Sequence, residues 1–111
     1  MPTTQGIFAG TVVFGVTPTT SAGIRVSQDW VAIDLNLSSM TGTGSLVLEV
    51  QWSDDGGTWA SAEPLDVFDA LTAAPVSVAK RFDVKGAYFR VSITVTGADS
   101  PTFTGTANAY V

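Results

Sequence analysis

The chain has 111 residues, of which 45% are apolar and only 14% are charged, and its formal net charge is −5. This length suits one domain, the apolar fraction argues against disorder, and the acidic balance argues against nucleic acid as the main partner. There is no histidine and no cysteine, which excludes Ser–His and Cys–His nucleophilic catalysis, thiol redox chemistry and the commonest zinc ligands. We therefore expect a protein that packs and binds, is not an enzyme and needs no cofactor.

The chain is predicted to form a single domain over residues 1–111, in which only Met1–Gln5 forms a flexible arm. The N-terminal residues lack the basic and apolar regions of a signal peptide. No apolar run approaches the roughly 20 residues that cross a membrane as a helix. We expect synthesis in the cytoplasm and no membrane partner.

Apolar residues recur with a period of two along most of the chain, which is typical of half-buried strands. In the clearest case, Phe89, Val91 and Ile93 are predicted to face the core, while Tyr88 and Arg90 face away from it. The same alternation predicts that Leu48, Val50 and Trp52 are buried. In chain order, the predicted strands span residues 7–16, 24–27, 31–37, 46–52, 76–84, 87–95 and 102–111.

Turn-forming Gly, Pro, Asp and Ser separate these segments, as in the stretch Asp54-Asp55-Gly56-Gly57. Several short strands at this spacing predict an all-β, single-domain antiparallel β-sandwich or a jelly-roll-like fold. Residues 64–74 hold the one possible helical turn, with a loop or an irregular strand as the alternatives.

The stretch from Ser53 to Trp59 resembles the Asp-box, a hairpin turn of sialidases and related β-propellers. The resemblance implies that Asp55 binds backbone amides of the turn and that Trp59 packs over it. The Thr58-Trp59 pair comes one residue earlier than in the Asp-box. The motif therefore predicts a rigid turn, with a sugar contact through Trp59 as the alternative.

Carboxylates offer little support for a metal site or for catalysis. Calcium, which prefers six to eight oxygen ligands, could in principle bind Asp54, Asp55, Asp66 and Asp69. The turn at Asp54 and Asp55, however, lacks the alternating spacing of a calcium loop. Glu49 and Glu63 are the only glutamates, whereas glycoside hydrolysis needs two carboxylates across a cleft. We expect no metal and no catalytic residues.

Exposed aromatic and basic side chains are the best candidates for a binding interface. Trp30 is out of phase with the strand that follows it, which predicts an interfacial ring or a contact inside the domain. The basic residues are absent between Arg25 and Lys80 and then cluster, which predicts two faces of opposite sign or a scattered solvated charge. The candidate interface residues are Trp30, Lys80, Arg81, Lys85 and Arg90, although Lys80 and Arg81 also suit edge-strand protection against aggregation.

Three motifs together resemble small β-sandwich virion proteins of tailed bacteriophages. They are Gly86-Ala87-Tyr88-Phe89-Arg90-Val91, then Thr96-Gly97 followed by Ser100-Pro101-Thr102-Phe103-Thr104, and the hairpin between Val50 and Trp59. The likeness covers residues 45–111. It implies a structural virion protein, most often a decoration (cement) protein that binds the outside of the capsid.

That resemblance implies two partners, the major capsid protein and further copies of the chain, arranged as a homotrimer. It implies localisation on the capsid exterior after synthesis in the host cytoplasm. A small tail or neck protein is the alternative within the virion. A carbohydrate-binding module that uses Trp59 and Trp30 is the alternative outside it.

Overall fold

The computed structural model describes residues 4–60 and 66–111, which form strands and connecting turns without a helix. No helix in these two ranges is long and apolar enough to cross a membrane. The strands are β1 (Thr4–Gly6), β2 (Val12–Phe14), β3 (Thr19–Thr20), β4 (Ile24–Arg25), β5 (Trp30–Thr41), β6 (Ser45–Ser53), β7 (Val76–Asp83), β8 (Tyr88–Thr96) and β9 (Thr102–Tyr110).

The strands form two antiparallel sheets. In the first sheet β1 and β2 pair with one side of β9, which pairs on its other side with β5, and β5 pairs with β7. In the second sheet β3 and β4 pair with one side of β8, and β6 pairs with the other. A short segment, residues 66–71, continues the second sheet beyond β6. With β1–β2 and β3–β4 each taken as one strand, this is the strand order of a jelly roll, and the predicted all-β sandwich is confirmed.

The core lies between the two sheets and is made by alternate residues of the long strands. Phe89, Val91 and Ile93 of β8 are fully buried, whereas Tyr88 and Arg90 are half-buried on the outer face. The predicted register of β8 is therefore confirmed. The same holds for β6, where alternate residues from Leu46 to Trp52 are buried.

The possible helix at residues 64–74 is an irregular strand where the structure describes it. The Leu71 amide donates to the Leu46 carbonyl and the Phe68 amide donates to the Leu48 carbonyl, both at 2.9 Å. Phe68 is buried and stacks on Phe82 of β7 at 5.7 Å between ring centroids. Apolar residues in this segment thus close the side of the sandwich between β6 and β7. Residues 64–65 lie outside the described ranges.

Two predictions at the N-terminus need correction. Thr4 and Gln5 are not a free arm, because they pair with Tyr110 and Ala109 in β1 and so satisfy their backbone groups on β9. Residues 1–3 of the predicted arm lie outside the described part of the chain. The single strand predicted at residues 7–16 is interrupted: only Val12–Phe14 forms a strand, and the bends before it include Gly10 at φ +70°.

Candidate interaction surface

The turn after β6 is held by the side chain of Asp55. Its Oδ1 accepts hydrogen bonds from the amides of Thr58 and Gly57, both at 2.8 Å, and from the Ser53 hydroxyl at 2.9 Å. These bonds, the Thr58 amide first, lower the pKa of Asp55 from 3.8 to about 2. Gly56 has φ +78°, a conformation that glycine adopts without strain. The hydrogen-bonded turn implied by the Asp-box resemblance is therefore present.

Trp59 packs beyond this turn, against the outer face of the second sheet. A Cβ placed on Gly23 would lie 2.9 Å from Cζ2 of the Trp59 ring, so the absence of a side chain at Gly23 makes room for the indole. The guanidinium carbon of Arg90 lies 4.8 Å from the centre of the same ring. Arg90 also donates from Nε to Oε1 of Gln51 at 2.7 Å. The indole and the amide together fix the position of the Arg90 head group.

A second arginine lies beside Arg90 on the same outer face. Arg25 pairs with Tyr88 across the β4–β8 ladder, its guanidinium carbon is 5.8 Å from the Tyr88 ring centre, and its Nη1 donates to the Tyr88 hydroxyl at 3.5 Å. Gly56 of the Asp55 turn lies against the Tyr88 ring, since a Cβ there would be 3.5 Å from it. We call the four residues Arg25, Tyr88, Arg90 and Trp59 the Arg25–Arg90 surface.

Trp30 and Arg81 lie on the outer face of the other sheet. The Trp30 ring stacks on Tyr110 with 5.6 Å between centroids, and the guanidinium carbon of Arg81 is 4.0 Å from the Trp30 ring centre. Trp30 is half-buried, so the phase break in the sequence marks a contact within the domain. Whether this stack also contacts a partner stays a prediction.

Lys80 and Lys85 are occupied inside the molecule. Lys80 donates to the Val67 carbonyl at 2.8 Å, which ties β7 to the segment 66–71. Lys85 forms an ion pair of 2.8 Å with Asp66. The buried Asp66 carboxylate also accepts a hydrogen bond of 2.9 Å from Nε1 of Trp52. Both lysines therefore hold the sandwich together, and β7 is an edge strand of the first sheet, as the edge-protection alternative requires.

The four basic residues predicted as one cluster do not form one patch. Arg81 and Arg90 lie on opposite outer faces, because β7 and β8 belong to different sheets. Arg81 precedes the buried Phe82, and Arg90 lies between the buried Phe89 and Val91. Arg25 belongs to the Arg25–Arg90 surface, and the sequence pattern does not predict it there. Arg25 pairs with Tyr88, which is 63 residues away along the chain, so its position depends on sheet topology. The sequence indicates the outer face of β8 only through the alternation that turns Tyr88 and Arg90 outward.

Basic residues nevertheless share one end of the sandwich. The ladders place Arg25 and Arg90 near Ser53, and Arg81 near Trp30, while residues 84–87 join these two regions at the same end. The opposite half holds Asp69 and Asp99 and no basic residue. Asp29, Asp54, Asp55, Asp66 and Asp83 lie at the same end as the basic residues. The two faces of opposite sign are therefore not found in the described part of the chain, and acidic and basic side chains are mixed at that end.

The carboxylates weighed for metal binding or catalysis are dispersed. Asp55 binds its own turn and Asp66 binds Lys85 and Trp52. In the described ranges no group of three or more potential metal ligands lies together. Glu49 is half-buried in β6, and Glu63 lies outside the described residues.

Two open hollows mark the surface. One, of about 250 Å³, lies beside the Asp55 turn between Trp52, Trp59 and Lys85. The other, of about 310 Å³, lies on the first sheet and is lined by hydroxyl and amide groups of Asn36, Ser38, Ser77 and Thr106. Neither contains a pair of carboxylates suited to glycoside hydrolysis.

No protein-family model matches the chain, and no curated protein sequence matches it. Solved structures do share its fold. A family 22 carbohydrate-binding module of Clostridium thermocellum Xyn10B superposes with a TM-score of 0.60 at 13% identity, covering 99% of this chain and 80% of the module. A protein of the disulfide-linked pili that form Bacillus endospore appendages superposes with a TM-score of 0.51 at 17% identity, covering 98% of this chain and 86% of the other. At these identities the likeness establishes the β-sandwich fold alone.

Proposed function

We propose that this chain is a non-enzymatic structural protein of a tailed-phage particle, and specifically a decoration protein bound to the outside of the capsid. The observation that carries the proposal is the gathering of three arginines, each stacked on an aromatic ring, at one end of the sandwich. Arginine and large aromatic residues dominate the binding energy of protein interfaces. The motif resemblance of residues 45–111 supports a place in the virion.

The fold suits a mechanical role. The two sheets enclose a core of large apolar side chains, including Phe14, Phe89 and Phe103, and burial of such side chains is the main source of stability in a folded domain. Its low charged fraction reduces the desolvation cost of contact with neighbouring subunits. A chain of this kind adds contacts across capsid subunits that expansion pressure must break.

The proposed partners are the major capsid protein and two further copies of the chain, as a homotrimer at local three-fold positions. Many identical weak contacts on one particle become collectively strong, as in multivalent binding. In this arrangement the end that holds the three arginine–aromatic pairs faces the capsid, since such side chains dominate binding at protein interfaces.

Particles with and without the chain test this function. Particles that lack it are expected to assemble but to break at lower temperature, and added protein should restore them. The purified chain should bind expanded capsids more tightly than unexpanded ones, because its site spans subunits that meet after expansion. Unchanged particle stability together with labelling at the tail would replace this proposal with a tail or neck role.

A carbohydrate-binding role is the second candidate. The similar fold of the Clostridium module favours it, and Trp59 is half-buried at the surface. Against it, the Arg90 guanidinium covers the Trp59 ring on which a sugar would stack. A glycan array separates the two candidates, since specific glycan binding that Trp59→Ala abolishes would favour the module.

A further inference from the structure

We propose that the Arg25–Arg90 surface is a docking site for a short, extended acidic segment of a protein partner, with its two carboxylates on alternate residues. This inference deepens the proposed function, on which it rests for the partner's identity as a capsid protein. It names the surface that binds and the chemistry that the surface recognises.

The first argument is the closeness of two like charges. Arg25 is directly opposite Tyr88, and Arg90 is two residues further along β8 on the same face, so the two arginines are diagonal neighbours with about 7–8 Å between their backbone positions. Within residues 4–60 and 66–111 neither forms an ion pair, and Lys85–Asp66 is the ion pair found there. Two adjacent cations repel each other, and a pair of carboxylates would remove that cost.

The second argument is that both head groups are held in place before any partner arrives. Arg90 is fixed by its Nε hydrogen bond to Gln51 and by the Trp59 ring, which leaves its two Nη groups for a bidentate carboxylate. Arg25 is held against Tyr88. Side chains that are ordered in advance lose less entropy on binding.

The third argument identifies the partner by spacing and charge. Alternate residues of an extended strand are about 7 Å apart on one face, which matches the backbone spacing of the two arginines as diagonal neighbours. Glu49 on the same face and Asp54 in the adjoining turn would repel a long polyanion, and the net charge is −5. A short Glu-x-Glu segment fits, whereas a nucleic acid backbone does not.

Arg81 provides a control within the same molecule. It too is stacked on an aromatic ring, but it is a single arginine on its face. Asp83 follows two residues later on the same side of β7, and Asp34 is its diagonal neighbour on β5. Arg81 is therefore an arginine stacked on an aromatic ring with two carboxylates nearby, and these carboxylates disfavour the binding of a further carboxylate from a partner.

Titration of a Thr-Glu-Thr-Glu-Thr peptide, blocked at both ends, into the full chain tests the site. The arginine Nε–H signals in nuclear magnetic resonance spectra report on Arg25, Arg81 and Arg90 separately. We expect the signals of Arg25 and Arg90 to shift, that of Arg81 to stay, and the shifts to weaken with added salt. Replacing both arginines, R25Q/R90Q, should weaken peptide binding about tenfold, the effect of two exposed charge pairs, while R81Q should not.

Several outcomes would overturn the inference. They are equal binding of the Thr-Gln-Thr-Gln-Thr peptide, an Arg81 response equal to the other two, or no shift at all. Tighter binding of a trigalacturonate would assign the surface to acidic glycans instead. Self-association in sedimentation that R25Q/R90Q abolishes would assign it to a second copy of the chain. Both substituted side chains lie on the outer face of the second sheet and outside the core, and circular dichroism checks that the variants are folded.

Capsid binding separates this inference from the proposed function. If the unaltered chain binds expanded capsids and R25Q/R90Q binds them equally well, the decoration role stands and the Arg25–Arg90 surface is wrong. If the chain never binds capsids but the peptide titration succeeds, the surface stands and the decoration role is wrong. R81Q is the control in the peptide titration only, because Arg81 lies at the end of the sandwich proposed to face the capsid.

Discussion

The β6–β8 ladder and the two flanks of β9 show how differently two parts of one sandwich are specified. β6 and β8 pair over nine residues, from Ser45 with Thr96 to Ser53 with Tyr88, without a shift in register. β9 pairs with β5 through a shift between Leu37 and Ser39. On its other side, the five residues between Gly6 and Val12 face only the two residues of β9 between Gly105 and Asn108. Regular alternation sets one register, and bulges set the other.

Both irregularities meet at Gly105. It pairs with Val12 of β2 and with Leu37 of β5, at the point where each neighbour changes register. A Cβ on Gly105 would overlap the Asn36 carbonyl oxygen and lie 2.9 Å from Cα of Leu37. The backbone of β5, which bulges between Leu37 and Ser39, can therefore approach β9 this closely only because Gly105 has no side chain.

The largest expected effect is in the regular ladder. Phe89→Ala removes a fully buried ring and should lower the free energy of unfolding by about 3–5 kcal/mol. Urea denaturation measures it, with Ser92→Ala on the outer face of β8 as the control. A loss below about 1 kcal/mol would contradict the assigned faces, because a one-residue slip exchanges them.

At the irregular position the expected effect comes from crowding. Gly105→Ala should destabilise the fold by about 3 kcal/mol, the upper end for overpacking, because the Asn36 backbone must move. Gly15→Ala is the matched control, since nothing lies within 4 Å of a Cβ there. Equal unfolding free energies for the two variants would mean that the bulge of β5 does not depend on Gly105.

The difference between the two regions explains which features the sequence predicts. The strand phase of β6 and β8 follows from the side-chain period alone. It correctly predicts the buried alternate residues from Leu46 to Trp52 and from Phe89 to Ile93. The three extra residues between Gly6 and Val12, relative to β9, cannot be recognised from the sequence. Residues 7–16 have a strand-like composition although their backbone bends. Arg25 was missed for a related reason: its neighbours come from β8, and no local pattern predicts which distant strand β4 joins.

A smaller effect is expected where the segment 66–71 continues the second sheet. Asp66→Ala leaves Trp52 Nε1 without its acceptor and Lys85 without its ion pair, and should cost about 2 kcal/mol. Asp69→Ala, an exposed change in the same segment, is the control. If the two variants unfold at the same urea concentration, the carboxylate does not anchor the segment.

The smallest effect concerns the turn that ends β6, and it depends on pH. The folded-state pKa of Asp55, about 2, lies below its usual 3.8. Its stabilising contribution is therefore complete above about pH 4 and is lost as the pH falls towards 2.

Asp55→Asn should remove that part of the acid dependence, and Asp54→Asn should retain it, since the Asp55 carboxylate accepts the turn amides. Urea denaturation at several pH values between about 2 and 5 checks both variants, because this range includes the folded-state and the usual pKa of Asp55. The same acid dependence in Asp55→Asn and in the unaltered chain would show that the turn does not depend on the charge.

The position of β9 in the first sheet has a consequence for the order of folding during synthesis. β1 and β2 are made first but pair only with β9, and β5 needs β9 on one side. Until residues 102–110 leave the ribosome, these earlier strands have unpaired backbone edges and the apolar face of the first sheet is incomplete. Contacts between such distant segments form slowly, so the nascent chain has a period in which it depends on protection from aggregation.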